Sequence, residues 1–203
     1  MSSFDGQTQN QMLLGWNFNN GYSPSNYYPP TIPGIVYNSG VNGLTADYVI
    51  YVPFVCRVTN VFTRLAYYNT GTGDSGDDIR MGLYESAEGR PTTLIVDGGE
   101  LAITGAAALN ESTISTTLIG GRLYFMAITA NGAINGYRAT AAPTSAYASA
   151  IDMGVTEVSA VPGLGGIGYM ESRAYAALPS TVGTLTKMDL NSTVNQPLFW
   201  LKG

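Results

Sequence analysis

The chain has 203 residues, enough to bury a hydrophobic core without disulfides, and its length fits one domain with an appendage. Charged residues make up only 11% of it and the net charge is −5, so it lacks the basic stripe that nucleic-acid binding requires. No run of about 18 apolar residues predicts a membrane span. The start of the chain lacks the basic and apolar regions of a signal peptide, so we expect synthesis in the cytoplasm.

The composition favours a β-protein that is buried against partners. Aromatic residues reach 11%, 14 of the residues are tyrosines and 25 are glycines, which is not the composition of a disordered chain. Its exposed faces are expected to carry hydroxyls and amides rather than ions. Such a weakly charged surface suits contact with other proteins better than it suits a free monomer.

Residues 1–43 differ from the rest of the chain. Pro24, Pro29, Pro30 and Pro33 exclude helix and favour extended backbone. The segment also carries apolar side chains that a flexible linker would lack. The candidate partner-binding residues in it are Met12, Leu13, Leu14, Trp16, Phe18, Tyr22, Tyr27 and Tyr28. We expect an extended N-terminal arm whose aromatic residues dock either on a partner or on the chain's own domain.

Short strand signals follow the arm. Residues 47–52 are rich in β-formers, and Pro53 is expected to end this strand. Residues 54–68 are predicted to form one long strand. Its apolar positions change phase, which predicts a bulge at residues 59–60. Residues 69–78 have the composition of a turn or loop.

The second half of the chain continues with short strands separated by turns. Gly98–Gly99 and Gly120–Gly121 are predicted turns, and Asn131–Gly132 and Asn135–Gly136 are dipeptides typical of hairpins. Strands are predicted at residues 79–84, 93–97, 100–104, 112–118, 122–130, 167–175 and 198–202, with a loop at 139–165. We therefore predict an all-β antiparallel β-sandwich of about eight strands, a jelly roll, over residues 44–203.

Few residues are suited to catalysis. The chain has no histidine, which removes the commonest general base and zinc ligand, and its one cysteine, Cys56, is predicted to be a small buried apolar side chain. Asp74, Asp77 and Asp78 share a loop that fits no calcium-binding pattern, and whether they bind a cation stays open. Carboxylates that a glycosidase would need in pairs occur at Glu85, Glu88, Asp97, Glu100, Glu111, Asp152, Glu157 and Glu171. No pattern ties any two of them together, so we expect no enzyme, no cofactor and no metal site.

Three stretches carry a resemblance to a known group of proteins. Residues 77–101 (DDIRMGLYESAEGRPTTLIVDGGEL), 112–132 (STISTTLIGGRLYFMAITANG) and 174–203 resemble, in their order of strands and turns, the small jelly-roll domains of tailed-bacteriophage virion proteins. These include capsid decoration proteins, tail fibres and spikes. The resemblance covers residues 44–203. It implies a virion protein that forms homo-oligomers, preferably trimers, and contacts other virion proteins or host surface glycans. In this reading the N-terminal arm attaches the protein to the particle.

Two further functions stay open. A carbohydrate-binding module would use tyrosines with Trp16 or Trp200 as stacking platforms. Adjacent tyrosines such as Tyr67 and Tyr68 point to opposite faces of a strand, so only one of each pair is expected to join such a platform. A glycan hydrolase is disfavoured because the sequence contains no catalytic pattern.

Overall fold

The computed structural model describes residues 22–28, 36–71, 76–103, 105–140, 168–188, 197 and 199–203. Within these residues the chain is all-β, in two antiparallel sheets that are consistent with the predicted β-sandwich. None of the described residues belongs to a helix that could cross a membrane.

The strands in chain order are β1 (Tyr27–Tyr28), β2 (Val36–Leu44), β3 (Tyr48–Val55), β4 (Asn60–Asn69), β5 (Asp78–Ala87), β6 (Arg90–Ala102), β7 (Ala108–Leu118), β8 (Leu123–Ala130), β9 (Ile134–Thr140), β10 (Gly168–Ser172), β11 (Thr186–Met188) and β12 (Phe199–Lys202). Sheet 1 has the order β1-β12-β4-β9-β2, and β7 also pairs with β4. Sheet 2 has the order β11-β10-β3-β8-β5-β6. Because β7 and β12 pair with overlapping parts of β4, they lie on its opposite edges.

The main core lies between the two sheets. Phe62 and Leu65 of sheet 1 and Met81 and Ile128 of sheet 2 belong to one cluster and are completely buried. Cys56 is buried in the same cluster, as predicted. Burial of such side chains contributes about 1.5–3 kcal/mol each, so this cluster is the main source of cohesion between the sheets.

Sheet 2 is apolar on its outer face as well, where residues 173–185, here called the strap, cover it. Leu178 of the strap packs with Tyr84 and Phe125 in a second buried cluster. The backbone of the strap runs beside β6: Leu94 N–H donates to Ser180 O at 3.0 Å, and the strap returns a bond of the same length to β6. The central strand β8 is therefore buried on both faces, which explains its continuous apolar sequence.

Two predictions about residues 47–68 are wrong. Pro53 lies inside β3, opposite Phe125, and does not end the strand. Among the described residues β10 pairs with β3 only over residues 48–51, so no described ladder partner on that side needs an N–H from Pro53. The predicted strand 54–68 is divided, since residues 56–59 carry the chain from sheet 2 to sheet 1. The phase change at residues 59–60 therefore coincides with a change of sheet, and a register shift of the β4–β7 ladder lies further along, between Phe62 and Arg64.

Glycine positions account for three other differences. Gly98–Gly99 is not a turn, because β6 runs through it; Gly99 has φ of +81° and the β5–β6 register shifts nearby. Asn135–Gly136 lies inside β9, where any side chain on Gly136 would collide with the Tyr67 hydroxyl. Asn131–Gly132 does not close a hairpin, since it connects strands of different sheets. The hairpin turn that does form is Glu88–Gly89, with φ of +51° and +73°.

Candidate functional site

Tyr22 is anchored on the end of its own sandwich. Its ring packs edge-on against Phe62, with centroids 4.7 Å apart, and against Tyr28 at 4.8 Å. The Arg57 backbone N–H donates to its hydroxyl at 3.0 Å, and burial raises the pKa of that hydroxyl. The sequence left open whether the arm docks on a partner or on the chain's own domain. Tyr22 contacts the chain's own domain.

Tyr27 and Tyr28 form β1 and add a short strand to sheet 1. They pair with Lys202 and Leu201 of β12. Leu201 points into the core, so Tyr28 turns inward to Tyr22, whereas Tyr27 turns outward. The remaining candidate partner-binding residues, Met12, Leu13, Leu14, Trp16 and Phe18, lie outside the described residues.

The outer side of sheet 1 carries a group of polar and aromatic side chains, here called the aromatic face: Tyr27, Glu111, Trp200 and Lys202. The Tyr27 hydroxyl donates to Glu111 Oε1 at 2.7 Å. Lys202 Nζ donates to the Tyr27 hydroxyl at 3.4 Å and lies 4.8 Å from the centre of the Tyr27 ring. One cation and one carboxylate therefore hold this ring against the sheet.

Strand register places Trp200 beside this pair. Trp200 stands opposite Ala66 of β4, and Ala66 stands opposite Glu111 of β7, so all three share one cross-strand row. Ala66 points outward between two core residues and is nevertheless completely buried, so larger neighbours close over it. Trp200 itself is half-buried and keeps part of its indole at the surface.

The aromatic face carries groups that are chemically suited to binding. It offers a partly exposed indole, an aromatic ring with a polar edge, a carboxylate acceptor and an ammonium donor, which are groups that can stack on and hydrogen-bond to a polar ligand.

Glu171, a carboxylate considered for catalysis, binds the strap. It is 4% exposed. Its Oε2 accepts from the Tyr51 hydroxyl at 3.0 Å and from Gly183 N–H at 3.2 Å, and its Oε1 accepts from Arg173 Nε at 2.8 Å. Burial and the neighbouring Tyr84 and Glu171 groups raise the pKa of Tyr51, so this hydroxyl stays a donor. The carboxylate is thus fully occupied by structural contacts.

Asp97 and Glu100 come together on Arg80, a link that sequence reasoning missed. Arg80 Nη1 is 3.5 Å from Asp97 Oδ2, and its Nη2 is 3.3 Å from Glu100 Oε2. The Leu178 N–H of the strap also donates to Asp97 Oδ2, at 3.1 Å. Glu100 accepts from the Tyr175 hydroxyl at 3.2 Å. Both carboxylates therefore fix the strap to sheet 2, as Glu171 does.

The other predicted acidic positions do not converge. Asp78 accepts from the Asn131 amide at 3.0 Å, which ties the start of β5 to the end of β8. The residues that the structure describes contain no group of three potential metal ligands. Asp74, Asp152 and Glu157 lie outside that part of the chain, and Glu85 and Glu88 are exposed near the β5–β6 turn.

Comparison of the sequence with models of protein families and with curated proteins finds no match.

Proposed function

We propose that the chain is a non-enzymatic structural protein of a tailed-bacteriophage particle, which assembles with copies of itself and with other particle proteins. The all-β antiparallel sandwich supports this proposal, because the resemblance to virion jelly-roll domains requires that fold class. In the proposal, the sandwich has jelly-roll topology and the arm attaches it to the particle.

The distribution of exposed apolar side chains carries the proposal. Val61, Leu109 and Ile119 are 47%, 44% and 45% exposed. Leu109 and Ile119 mark the two ends of the edge strand β7, and Val61 lies on the neighbouring β4, opposite Thr117 of β7. Exposed aliphatic side chains at this side of sheet 1, on a chain with 11% charged residues, suit contact with another protein.

The test of self-assembly is the mass in solution. Light scattering across micromolar concentrations is expected to give a multiple of 21.4 kDa, with a trimer as the form that the resemblance implies. A constant mass of 21.4 kDa at all concentrations would contradict the proposal.

Attachment by the arm is tested by deleting residues 1–21. The deletion leaves Tyr22 and β1 in place, so we expect an unchanged melting temperature and a loss of incorporation into particles. The matched control is the full chain with Tyr48→Phe, a change at a half-buried strand position of sheet 2. Normal incorporation of the truncated chain would mean that the anchor lies elsewhere.

Carbohydrate binding is the second candidate function, and the aromatic face favours it. In this proposal Trp200 stacks on a sugar ring while Glu111 and Lys202 hydrogen-bond to its hydroxyls. An array of neutral oligosaccharides tests it, with Glu111→Gln expected to weaken any binding and Glu85→Gln, on sheet 2, to leave it unchanged. Failure of every glycan to bind would remove this candidate and leave the assembly proposal intact.

A further inference from the structure

β7 is an edge strand with one open side. It pairs with β4 along its length, and no other described strand forms a ladder with it. β6 packs close to β7 on the inside of the sandwich: a Cβ on Gly98 would lie 2.7 Å from the Cβ of Ser112, which is buried and points inward. Among the described residues no backbone group bonds to the outer edge of β7, which is the side on which another strand would pair.

The sequence of β7 lacks the features that normally protect such an edge. Eleven residues contain no proline, lysine or glycine and a single charge. Exposed and covered positions alternate along the strand, although its register with β4 shifts between the pairs Phe62–Thr116 and Arg64–Thr113. The outward positions are Leu109, Glu111, Thr113, Ser115 and Thr117, followed by Ile119 directly after the strand.

We propose that β7 pairs antiparallel with β7 of a second copy of this chain, around a two-fold axis at Ile114. In this register each residue stands opposite the partner residue that is equally distant from Ile114. The exposed Leu109 then meets the partner's Ile119 at both ends of the ladder. Glu111 meets the partner's Thr117, so that no like charges oppose each other.

A buried polar atom supports the same register independently. Ser112 Oγ is buried and has no hydrogen-bond partner within the described part of the chain. In the proposed pairing the partner's Thr116, which is half-buried on the same inward side, stands opposite Ser112. Cross-strand serine and threonine hydroxyls at directly opposite positions form hydrogen bonds. The pairing therefore gives the Ser112 hydroxyl a hydrogen-bond partner, and a buried hydroxyl without one lowers the stability of the fold.

Neighbouring registers fit less well. With the axis moved to Ser115, Glu111 would face the partner's Ile119 and Leu109 would lie beyond the ladder, opposite a glycine. With the axis moved to Thr113, Ile119 would lose its aliphatic partner. A shift by one residue would place inward side chains opposite outward ones.

This inference rests on the proposed self-assembly and names its interface. The pairing is isologous, so it forms a dimer. The trimer that the resemblance implies has no two-fold axis and needs a different contact, and both contacts together give a hexamer.

The test places like charges opposite each other in the proposed ladder. Thr113 and Ser115 are exposed, and Thr113 of one copy stands opposite Ser115 of the other across the axis. The double change Thr113→Lys with Ser115→Lys is therefore expected to weaken the dimer at least about tenfold. Thr113→Lys with Ser115→Glu restores opposite charges in the same register and is expected to restore the mass. The matched control is Thr186→Lys, an exposed position on β11, the edge strand of sheet 2.

Sedimentation velocity of the full chain, with melting temperatures as the control for folding, distinguishes the outcomes. A monomeric wild-type chain overturns both this inference and the proposed self-assembly. An oligomer that the lysine pair leaves intact overturns the β7 pairing alone. If the lysine pair dissociates the oligomer and the lysine–glutamate pair does not restore it, the proposed register is overturned.

A cross-linking measurement checks the register without added charge. Leu109→Cys with Ile119→Cys is expected to form a covalent dimer on oxidation, whereas each single change is not. Cys56 does not interfere because it is buried. Failure of the double variant to cross-link overturns the register.

Discussion

The buried Glu171 carboxylate offers a quantitative test of how the strap is held. Glu171→Gln preserves the shape of the side chain but replaces one acceptor oxygen by an NH₂ group. That group cannot accept from Arg173 or from the Gly183 N–H, which are both donors. The change therefore leaves at least one of these donors without its acceptor.

The expected magnitude follows from the environment of these donors. A hydrogen bond to a charged group contributes about 1.5–3 kcal/mol when buried. The Arg173 side chain is 39% exposed and can turn toward water, which favours the lower part of this range. We expect the free energy of unfolding to fall by about 2 kcal/mol, which lowers the melting temperature by roughly 4–8 °C for a chain of this size.

Urea unfolding followed by circular dichroism measures this change, and the slope with urea should stay constant. Glu85→Gln is the matched control, because Glu85 is exposed on β5 and is expected to change stability by less than about 0.5 kcal/mol. Tyr51→Phe removes another donor to Glu171, so the double variant should lose less than the sum of the two single changes. Equal stability of Glu171→Gln and Glu85→Gln would refute the role given to this carboxylate.

Three further predictions concern the arm, the thiol and a glycine. Tyr22→Phe removes the acceptor of the Arg57 N–H and should lower the free energy of unfolding by about 1 kcal/mol; unchanged urea unfolding would show that this contact is not made. Burial raises the pKa of the Cys56 thiol to about 11, so it should resist alkylation at pH 8, and rapid modification of the native chain would contradict this. Above about pH 9 the thiol of the unfolded chain ionises while the thiol of the native chain stays protonated. The contribution of this thiol to the free energy of unfolding is therefore lost between about pH 9 and 11. Gly136→Ala should destabilise the chain by at least about 1 kcal/mol because the added methyl group meets the Tyr67 hydroxyl, and a melting temperature equal to that of the wild type would argue against this contact.

The sequence was sufficient to predict the fold class, because β-formers alternate and turn residues recur at short intervals. It also predicted that adjacent tyrosines point to opposite faces, and Tyr67 is in the core while Tyr68 lies on the other side of β4. It could not predict which sheet a strand joins. The phase change after Val55 fits both a bulge and a crossover, and only pairing with distant strands decides between them.

The same limit applies to positions where tertiary contacts override local preference. Pro53 lies inside β3, beyond the residues that pair with the described part of β10. Gly98 lies within β6, where Ser112 of the other sheet leaves no room for a side chain, a contact that no local pattern reveals. Strand formation here depends on neighbours that are far away in sequence.

The candidate site was only partly accessible from the sequence. Trp200 was predicted as a stacking residue and Glu111 was considered as an acid. Their common row on sheet 1 depends on strand register, and Tyr27 lies 84 residues from Glu111 in the chain. Lys202 was not identified, because a single lysine near the end of a strand carries no signal by itself. The role of the carboxylates in fixing the strap likewise requires the long-range fold.

Electron microscopy of purified tailed-phage particles tests the central proposal most directly, since the proposal makes this chain a component of such a particle. An antibody fragment raised against the folded chain serves as the label, and particles assembled without the chain serve as the control. We predict that the label binds at regular positions on the particle surface, in groups that reflect assembled copies. Particles that carry no label, with the chain recovered only from the unassembled fraction of the lysate, would contradict the account.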